Sequence, residues 1–215
     1  MEFTAKDREI LDTLCIRVRI LSVEQIARTW FGEARNPGSA ARRRLKELEG
    51  IRFVEKREVL AHPLLDLKKP IFDWEPGEYV LGSGPNFAAL AAELRNRWSD
   101  RKPELRTVWK PTETAKNSFG GAAEMSPLGQ ETHDLQLSEL YLRTRGLEPE
   151  RASQWRGEDC YASERRGRKR PDAELIDPAT RQTWCVIEMG GRYEALHLEH
   201  LYQDCVERQT RFELW

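Results

Sequence analysis

The sequence lacks any apolar run of about 18 residues, the length that a membrane-spanning helix requires. Its first residues also lack the apolar stretch of a secretory signal peptide, so we expect a cytoplasmic protein with no membrane partner. Cysteine is scarce as well, and no two of the four cysteines form a Cys-x-x-Cys pair. We therefore expect reduced, buried thiols rather than a disulfide framework.

An excess of one charge sign is also absent, because 35 basic residues are balanced by 36 acidic ones. Near-neutrality does not exclude a nucleic-acid partner, since binding responds to local clusters of charge. Residues 17–57 hold eleven arginines and lysines against five glutamates, and five of the six residues 165–170 are basic. With 39% hydrophobic and 33% charged residues, the composition is that of a globular chain, long enough for one large domain or two small ones.

The N-terminal pattern predicts three short helices followed by strands, with helices at residues 5–16, 22–31 and 39–49 and strands at 51–60, 72–74 and 78–81. Thr4, Ser22 and Ser39 are the expected N-caps, and Gly50 ends the third helix. Three helices followed by a β-ribbon form the order of a winged helix-turn-helix. We assign residues 1–81 to this domain and expect it to have its own hydrophobic core.

The third predicted helix would be the recognition helix of such a domain. Its outer face carries the basic side chains Arg42, Arg43, Arg44 and Lys46. Arginine suits double-stranded DNA because it contacts guanine edges with two hydrogen bonds and also binds phosphates. The alternative is a solvated charged helix in a protein–protein module, since winged helices also serve in dimerisation.

The rest of the chain predicts a connecting segment and a second domain. Residues 82–130 contain a helix at 87–98, a strand at 105–109 and a Gly/Pro-rich loop. Residues 131–215 follow an α-β-β-β-α-β order, with elements predicted at 134–145, 159–162, 171–176, 183–189, 193–208 and 212–215. The fold class expected from both parts is α+β.

Two acidic residues of the second domain lie at matching ends of a predicted hairpin. Asp172 opens one strand, Glu188 ends the next, and a short turn joins the two strands. Antiparallel pairing would bring the two carboxylates together. Oxygen ligands of this kind bind Mg²⁺ or Mn²⁺ in phosphodiester hydrolysis, so Asp172 and Glu188 are the predicted metal ligands and catalytic residues.

The spacing Pro171-Asp172 followed by Glu188 resembles the PD-(D/E)XK nuclease pattern, and the α-β-β-β-α-β order is similar to that of the restriction-endonuclease-like core. The chain more closely resembles the replication-relaxation family of bacteria and their mobile elements. The resemblance covers most of the chain: an N-terminal winged helix, a His-led helix like the one beginning at His133, and the segment Arg170-Pro171-Asp172-Ala173 before an apolar strand that ends in Glu. It implies an N-terminal winged helix-turn-helix followed by a restriction-endonuclease-like domain.

The chain departs from the nuclease pattern two residues after Glu188, where Gly190 replaces the lysine. Arg192, the third predicted catalytic residue, and Lys169 are the cations that could move into the site, but arginine is a poor general base. We expect a DNA-binding protein of mobile-element replication, mobilisation or regulation, with an inactive nuclease-like domain. The alternative is a Mg²⁺-dependent DNA endonuclease of repair or defence.

Additional DNA contacts are predicted in the basic loop before Asp172, at Arg165, Arg166, Arg168, Lys169 and Arg170. The expected partner is double-stranded DNA, and a second copy of the chain or other mobile-element proteins are further candidate partners. If the second domain binds a cofactor, the resemblance implies Mg²⁺ or Mn²⁺.

Overall fold

The computed structural model describes residues 2–78, 84–121, 129–161, 171–191 and 193–215. Helices and strands are mixed along these residues, so the predicted α+β class is confirmed. The elements before residue 122 are α1 (Ala5–Asp12), β1 (Leu21–Ser22), α2 (Val23–Trp30), α3 (Pro37–Gly50), β2 (Val54–Ala61), β3 (Phe72–Trp74), α4 (Phe87–Asn96), β4 (Glu104–Pro111) and α5 (Glu113–Phe119). The later elements are α6 (Glu131–Leu147), α7 (Pro149–Ser153), β5 (Trp155–Gly157), β6 (Ala173–Ile176), β7 (Thr183–Glu188), α8 (Ala195–Glu207) and β8 (Arg211–Leu214).

Side-chain caps fix the starts of the first three helices. Thr4 and Ser22 each accept a hydrogen bond from a backbone N–H three residues on, as predicted, and this satisfies an N–H that has no partner within the helix. The third cap is Asn36 rather than Ser39, because Pro37 is already suited to the first helical turn and α3 therefore begins earlier than predicted.

Strand β4 lies at the centre of an antiparallel sheet with the order β1-β4-β2. Its register with β2 runs from Val54↔Pro111 to Ala61↔Glu104. The β-ribbon expected after the third helix is not formed by consecutive strands, because β2 pairs with β4 and β3 pairs with β8 of the other sheet. Residues 79–81 lie outside the described residues. Local alternation of apolar and polar side chains identifies a strand but carries no information about its partner.

The second sheet has the order β3-β8-β7-β6-β5. Strands β5, β6 and β7 are antiparallel neighbours, and β8 lies parallel to β7 because α8 carries the chain back across the sheet. The hairpin predicted between residues 171–176 and 183–189 is confirmed. The strand predicted at 159–162 is wrong: β5 ends at Gly157, and a 3₁₀ turn follows it.

The segment predicted as a loop after residue 110 contains a helix. Thr112 caps α5, and Gly120 ends it with a positive φ of 90°, a conformation that favours glycine. Only Ala115 of this seven-residue helix is buried, so the apolar periodicity was too weak to reveal it.

One apolar cluster runs through both halves of the chain. It contains Ile10 and Leu45 from the first helices together with Trp155 and Ile187 from the second sheet. This continuity contradicts the prediction of two separate hydrophobic cores, while the domain boundaries at residues 81 and 130 stay predictions. The four cysteines are free thiols, and three of them are buried.

Candidate functional site

Three cations on α3 face solvent. Arg42, Arg43 and Lys46 are exposed, and none of them forms an ion pair within the described part of the chain. Leu45 and Leu48 point the other way, into the core, because positions three and four apart share a helix face. The buried face therefore holds α3 in place and leaves these cations available to a partner.

Arg44 does not belong to that exposed set. Its Nε lies 2.7 Å from Oδ1 of the fully buried Asp7, its second nitrogen lies 2.5 Å from Oδ2, and it also pairs with Glu47. Burial raises the pKa of Asp7, but the hydrogen bonds from Arg44 and Thr4 outweigh burial and lower it. Arg44 thus ties α3 to α1, and we remove it from the predicted DNA contacts.

Arg35 is a cation that sequence reasoning missed. It is exposed in the turn between α2 and α3, directly before the cap Asn36, and within the described residues it has no ion-pair partner. In the sequence, only its position next to the start of a basic helix indicated Arg35. The predicted contacts in the basic loop and the predicted catalytic cation lie outside the described residues: Arg165, Arg166, Arg168, Lys169, Arg170 and Arg192.

Asp172 and Glu188 lie at the same edge of the second sheet. The pair Ala173↔Ile187 lies at this end of the β6–β7 hairpin. Asp172 directly precedes Ala173, and Glu188 directly follows Ile187. Asp172 Oδ2 also accepts a hydrogen bond of 2.8 Å from the backbone N–H of Met189. The two strands therefore hold both acids at one end of their hairpin.

His133 near the start of α6 contacts the first of these acids. Its Nε2 lies 2.9 Å from Asp172 Oδ2, and its Nδ1 lies 3.4 Å from Asp134 Oδ1. Burial alone would lower the pKa of His133, but the charges of the two carboxylates and their hydrogen bonds raise it well above its ordinary value. The raised pKa favours the protonated form of His133, which lies between two acids.

Arg19 supplies a second cation that sequence reasoning missed. Its guanidinium lies 2.7 Å from Asp159, 3.0 Å from Glu158 and 3.8 Å from Asp134. Burial raises the pKa of Glu158, Arg19 opposes that rise, and Asp172 adds to it. Arg19 lies between α1 and β1 in a segment without periodicity, and only the fold brings it to acids more than a hundred residues away.

Glu188 is fully buried, and Oε2 accepts a hydrogen bond of 3.2 Å from the Tyr193 hydroxyl. Burial raises the pKa of Tyr193, and the charges of Glu188 and Asp172 raise it further. The hydroxyl therefore stays protonated and acts as a donor at neutral pH.

The position that carries lysine in the nuclease pattern is a packing position here. A Cβ added to Gly190 would lie 2.6 Å from Leu94 Cδ1 and 2.9 Å from Leu94 Cγ, closer than real Cβ atoms approach a neighbour. Leu94 belongs to α4 and is itself fully buried. The side chain of Leu94 thus fills the space that a lysine at this position would need.

The residues around Asp172 fit a divalent cation poorly. The cavity between Asp172, His133, Glu158 and Arg19 has a volume of about 20 Å³, room for about one water. Mg²⁺ keeps several waters and prefers oxygen ligands in an octahedron. Within the described ranges, no group of three or more His, Cys, Asp or Glu residues is arranged to hold a metal ion.

Comparisons of the chain with models of protein families, with curated proteins and with solved structures find no match. The resemblance to the replication-relaxation family therefore stays a prediction. In the part of the chain that the structure describes, no helix combines the length and the apolar character needed to cross a membrane.

Proposed function

We propose that this protein binds double-stranded DNA through α3 and does not cleave it. The observation that carries the proposal is the contrast between the cations of this helix. Arg44 is bound to a buried carboxylate, whereas Arg42, Arg43 and Lys46 are exposed and have no ion-pair partner in the described residues. Cations without internal partners can bind phosphates and release the counterions that surround DNA.

The order of the N-terminal elements supports a winged helix-turn-helix. α1, β1, α2 and α3 precede β2, and β4 completes a sheet of order β1-β4-β2. In this arrangement α3 follows α2 after a short turn, as a recognition helix does, and its first turns would enter the major groove. Residues 62–103 join β2 to β4 and carry β3 into the second sheet. The described part of this connection packs on the second sheet and does not form the wing of an ordinary domain of this kind.

The second sheet supports a nuclease-like domain that has lost its chemistry. Apart from the short helix α7 after α6, the elements follow the α-β-β-β-α-β order: α6, the antiparallel strands β5, β6 and β7, helix α8 and the parallel strand β8. Gly190 packed against Leu94 leaves no room for the lysine of the pattern. We propose the host process from the resemblance alone: replication, mobilisation or regulation of a bacterial mobile element.

The test is a binding titration with a short duplex of mixed sequence at several salt concentrations. The triple variant Arg42→Ala/Arg43→Ala/Lys46→Ala should bind about tenfold more weakly or worse. The slope of log K against log salt should fall by about 0.9 for each phosphate that the variant no longer neutralises. Alanine substitutions in the basic loop 165–170 should lower the same slope, in addition to the change from α3, if that loop also binds DNA.

A matched control removes three exposed cations elsewhere: Lys69→Ala/Arg101→Ala/Lys102→Ala. None of these three has an ion-pair partner in the described ranges, and the change in net charge is the same. We expect this control to bind as the wild type does. Equal weakening in both triple variants would mean that net charge, and not α3, determines binding.

The second candidate is the Mg²⁺-dependent endonuclease, and the register of β6 and β7 favours it by holding Asp172 and Glu188 at one hairpin end. Incubation of the protein with supercoiled and linear DNA, with and without Mg²⁺ or Mn²⁺, separates the two candidates. Metal-dependent cleavage that Asp172→Asn abolishes would establish the second candidate and overturn the first.

A further inference from the structure

Four carboxylates line one small cavity where the second sheet meets α6. Like charges held close together repel, and the repulsion raises the pKa of one carboxyl group unless a cation lies among them. In a nuclease site, a divalent metal supplies that charge. These acids are Asp134, Glu158, Asp159 and Asp172, and Glu188 lies at the same hairpin end as Asp172.

His133 supplies positive charge at one carboxylate oxygen of Asp172. Asp172 Oδ2 already accepts hydrogen bonds from His133 Nε2 and from the Met189 N–H. The other ring nitrogen of His133 faces Asp134. An imidazole can donate to carboxylates from both nitrogens only in its cationic form.

Arg19 supplies the second positive charge. Its guanidinium contacts Asp159 and Glu158 and approaches Asp134, and only 11% of its side chain is exposed. Arginine remains charged at every pH that a protein tolerates, and its planar fork of donors suits several carboxylates at once. Lys116, 3.6 Å from Asp159, adds to the same side of the cluster.

We propose that His133 and Arg19 are built-in cations that take the place of the divalent metal, so that this site binds neither Mg²⁺ nor Mn²⁺. The proposal rests on one part of the proposed function, namely that the protein does not cleave DNA. It does not depend on DNA binding by α3. The cavity of about 20 Å³ agrees with it, because a hydrated divalent ion needs more space than one water.

The test follows thermal unfolding of the full chain with increasing Mg²⁺ or Mn²⁺, against NaCl of equal ionic strength. The wild type should show no metal-specific rise in Tm. His133→Gln removes one built-in cation and keeps the acids, so Mn²⁺ should now raise its Tm by several degrees. The double variant His133→Gln/Asp172→Asn should lose that gain, whereas His133→Gln/Asp100→Asn, which removes an exposed acid, should keep it.

Either half of the proposal can fail separately. Wild-type protein that binds one Mn²⁺, with binding lost in Asp172→Asn and kept in Asp100→Asn, overturns it. No gain in His133→Gln overturns the role of His133 as the substitute cation. If the His133 variants do not fold, electron paramagnetic resonance of Mn²⁺ titrated into the wild type decides, because a bound ion contradicts the proposal and its absence supports it. DNA binding by α3 is unaffected by any of these results.

Discussion

At the scale of single residues, Gly190 occupies the position that carries lysine in the nuclease pattern. Gly190 packs against Leu94, while its neighbour Gly191 has open space around the position of a Cβ. The two positions are therefore a matched pair for the same substitution. One is closed by a buried side chain and the other is not.

We predict that Gly190→Lys lowers the free energy of unfolding by about 1–3 kcal/mol or more, because it overpacks the space beside Leu94. It should not restore metal-dependent cleavage. Gly191→Lys should leave Tm close to that of the wild type. Chemical denaturation and a cleavage assay on both variants make the comparison, and a stable, active Gly190→Lys would contradict our interpretation of the site.

At this scale the sequence indicated some site residues and hid others. Asp172 and Glu188 could be predicted because strand ends and a short turn are local features. His133 was indicated only by a resemblance. Arg19 could not be found, because its partners are distant in sequence and its own segment has no pattern. Arg44 looked like its neighbours, and only the buried Asp7 distinguishes it.

At the scale of elements, a buried ion pair joins α1 to α3. We predict that Asp7→Ala lowers the free energy of unfolding by about 3 kcal/mol, because it leaves Arg44 half-buried without its main partner. Glu47→Ala removes only the exposed partner of the same arginine and should cost less than about 1 kcal/mol. Urea denaturation of the two variants is the measurement, and equal losses would contradict the structural role of Asp7.

The Asp7–Arg44 ion pair also determines the direction in which stability changes with pH. Because the pKa of Asp7 is lowered in the folded state, its contribution is present above the ordinary Asp pKa of about 3.9 and is lost as pH falls through the folded value. The difference in stability between the wild type and Asp7→Asn should therefore be largest near neutral pH and shrink in acid.

Elements with strong local signals were predicted well, and those defined by distant contacts were not. The caps Thr4 and Ser22 and the β6–β7 hairpin follow from neighbouring residues. The partner of β2 and the short helix α5 depend on contacts that no local pattern encodes. The error in the predicted ribbon has this origin, since β2 and β3 are consecutive strands that join different sheets.

At the scale of the whole molecule, the shared core predicts cooperative unfolding. Trp155 is fully buried, and its indole N–H donates to the Arg17 carbonyl across the two halves of the chain. We therefore expect one unfolding transition, with coincident midpoints by tryptophan fluorescence and far-ultraviolet circular dichroism. Trp155→Ala should lower the stability of the whole protein by about 3–5 kcal/mol. Two separate transitions would indicate independent cores.

The connection between β2 and β4 has a consequence for the order of folding. β3 lies within that connection, yet it pairs with β8 near residue 214. The chain between two strands of the first sheet therefore contains a strand whose partner is synthesised much later. During synthesis on a ribosome, β3 has no strand to pair with until residues 211–214 emerge. Chains rich in such distant pairings fold slowly, and their unpaired strand edges are prone to aggregation until folding is complete. The protein should therefore depend on chaperones during synthesis more than its modest size suggests.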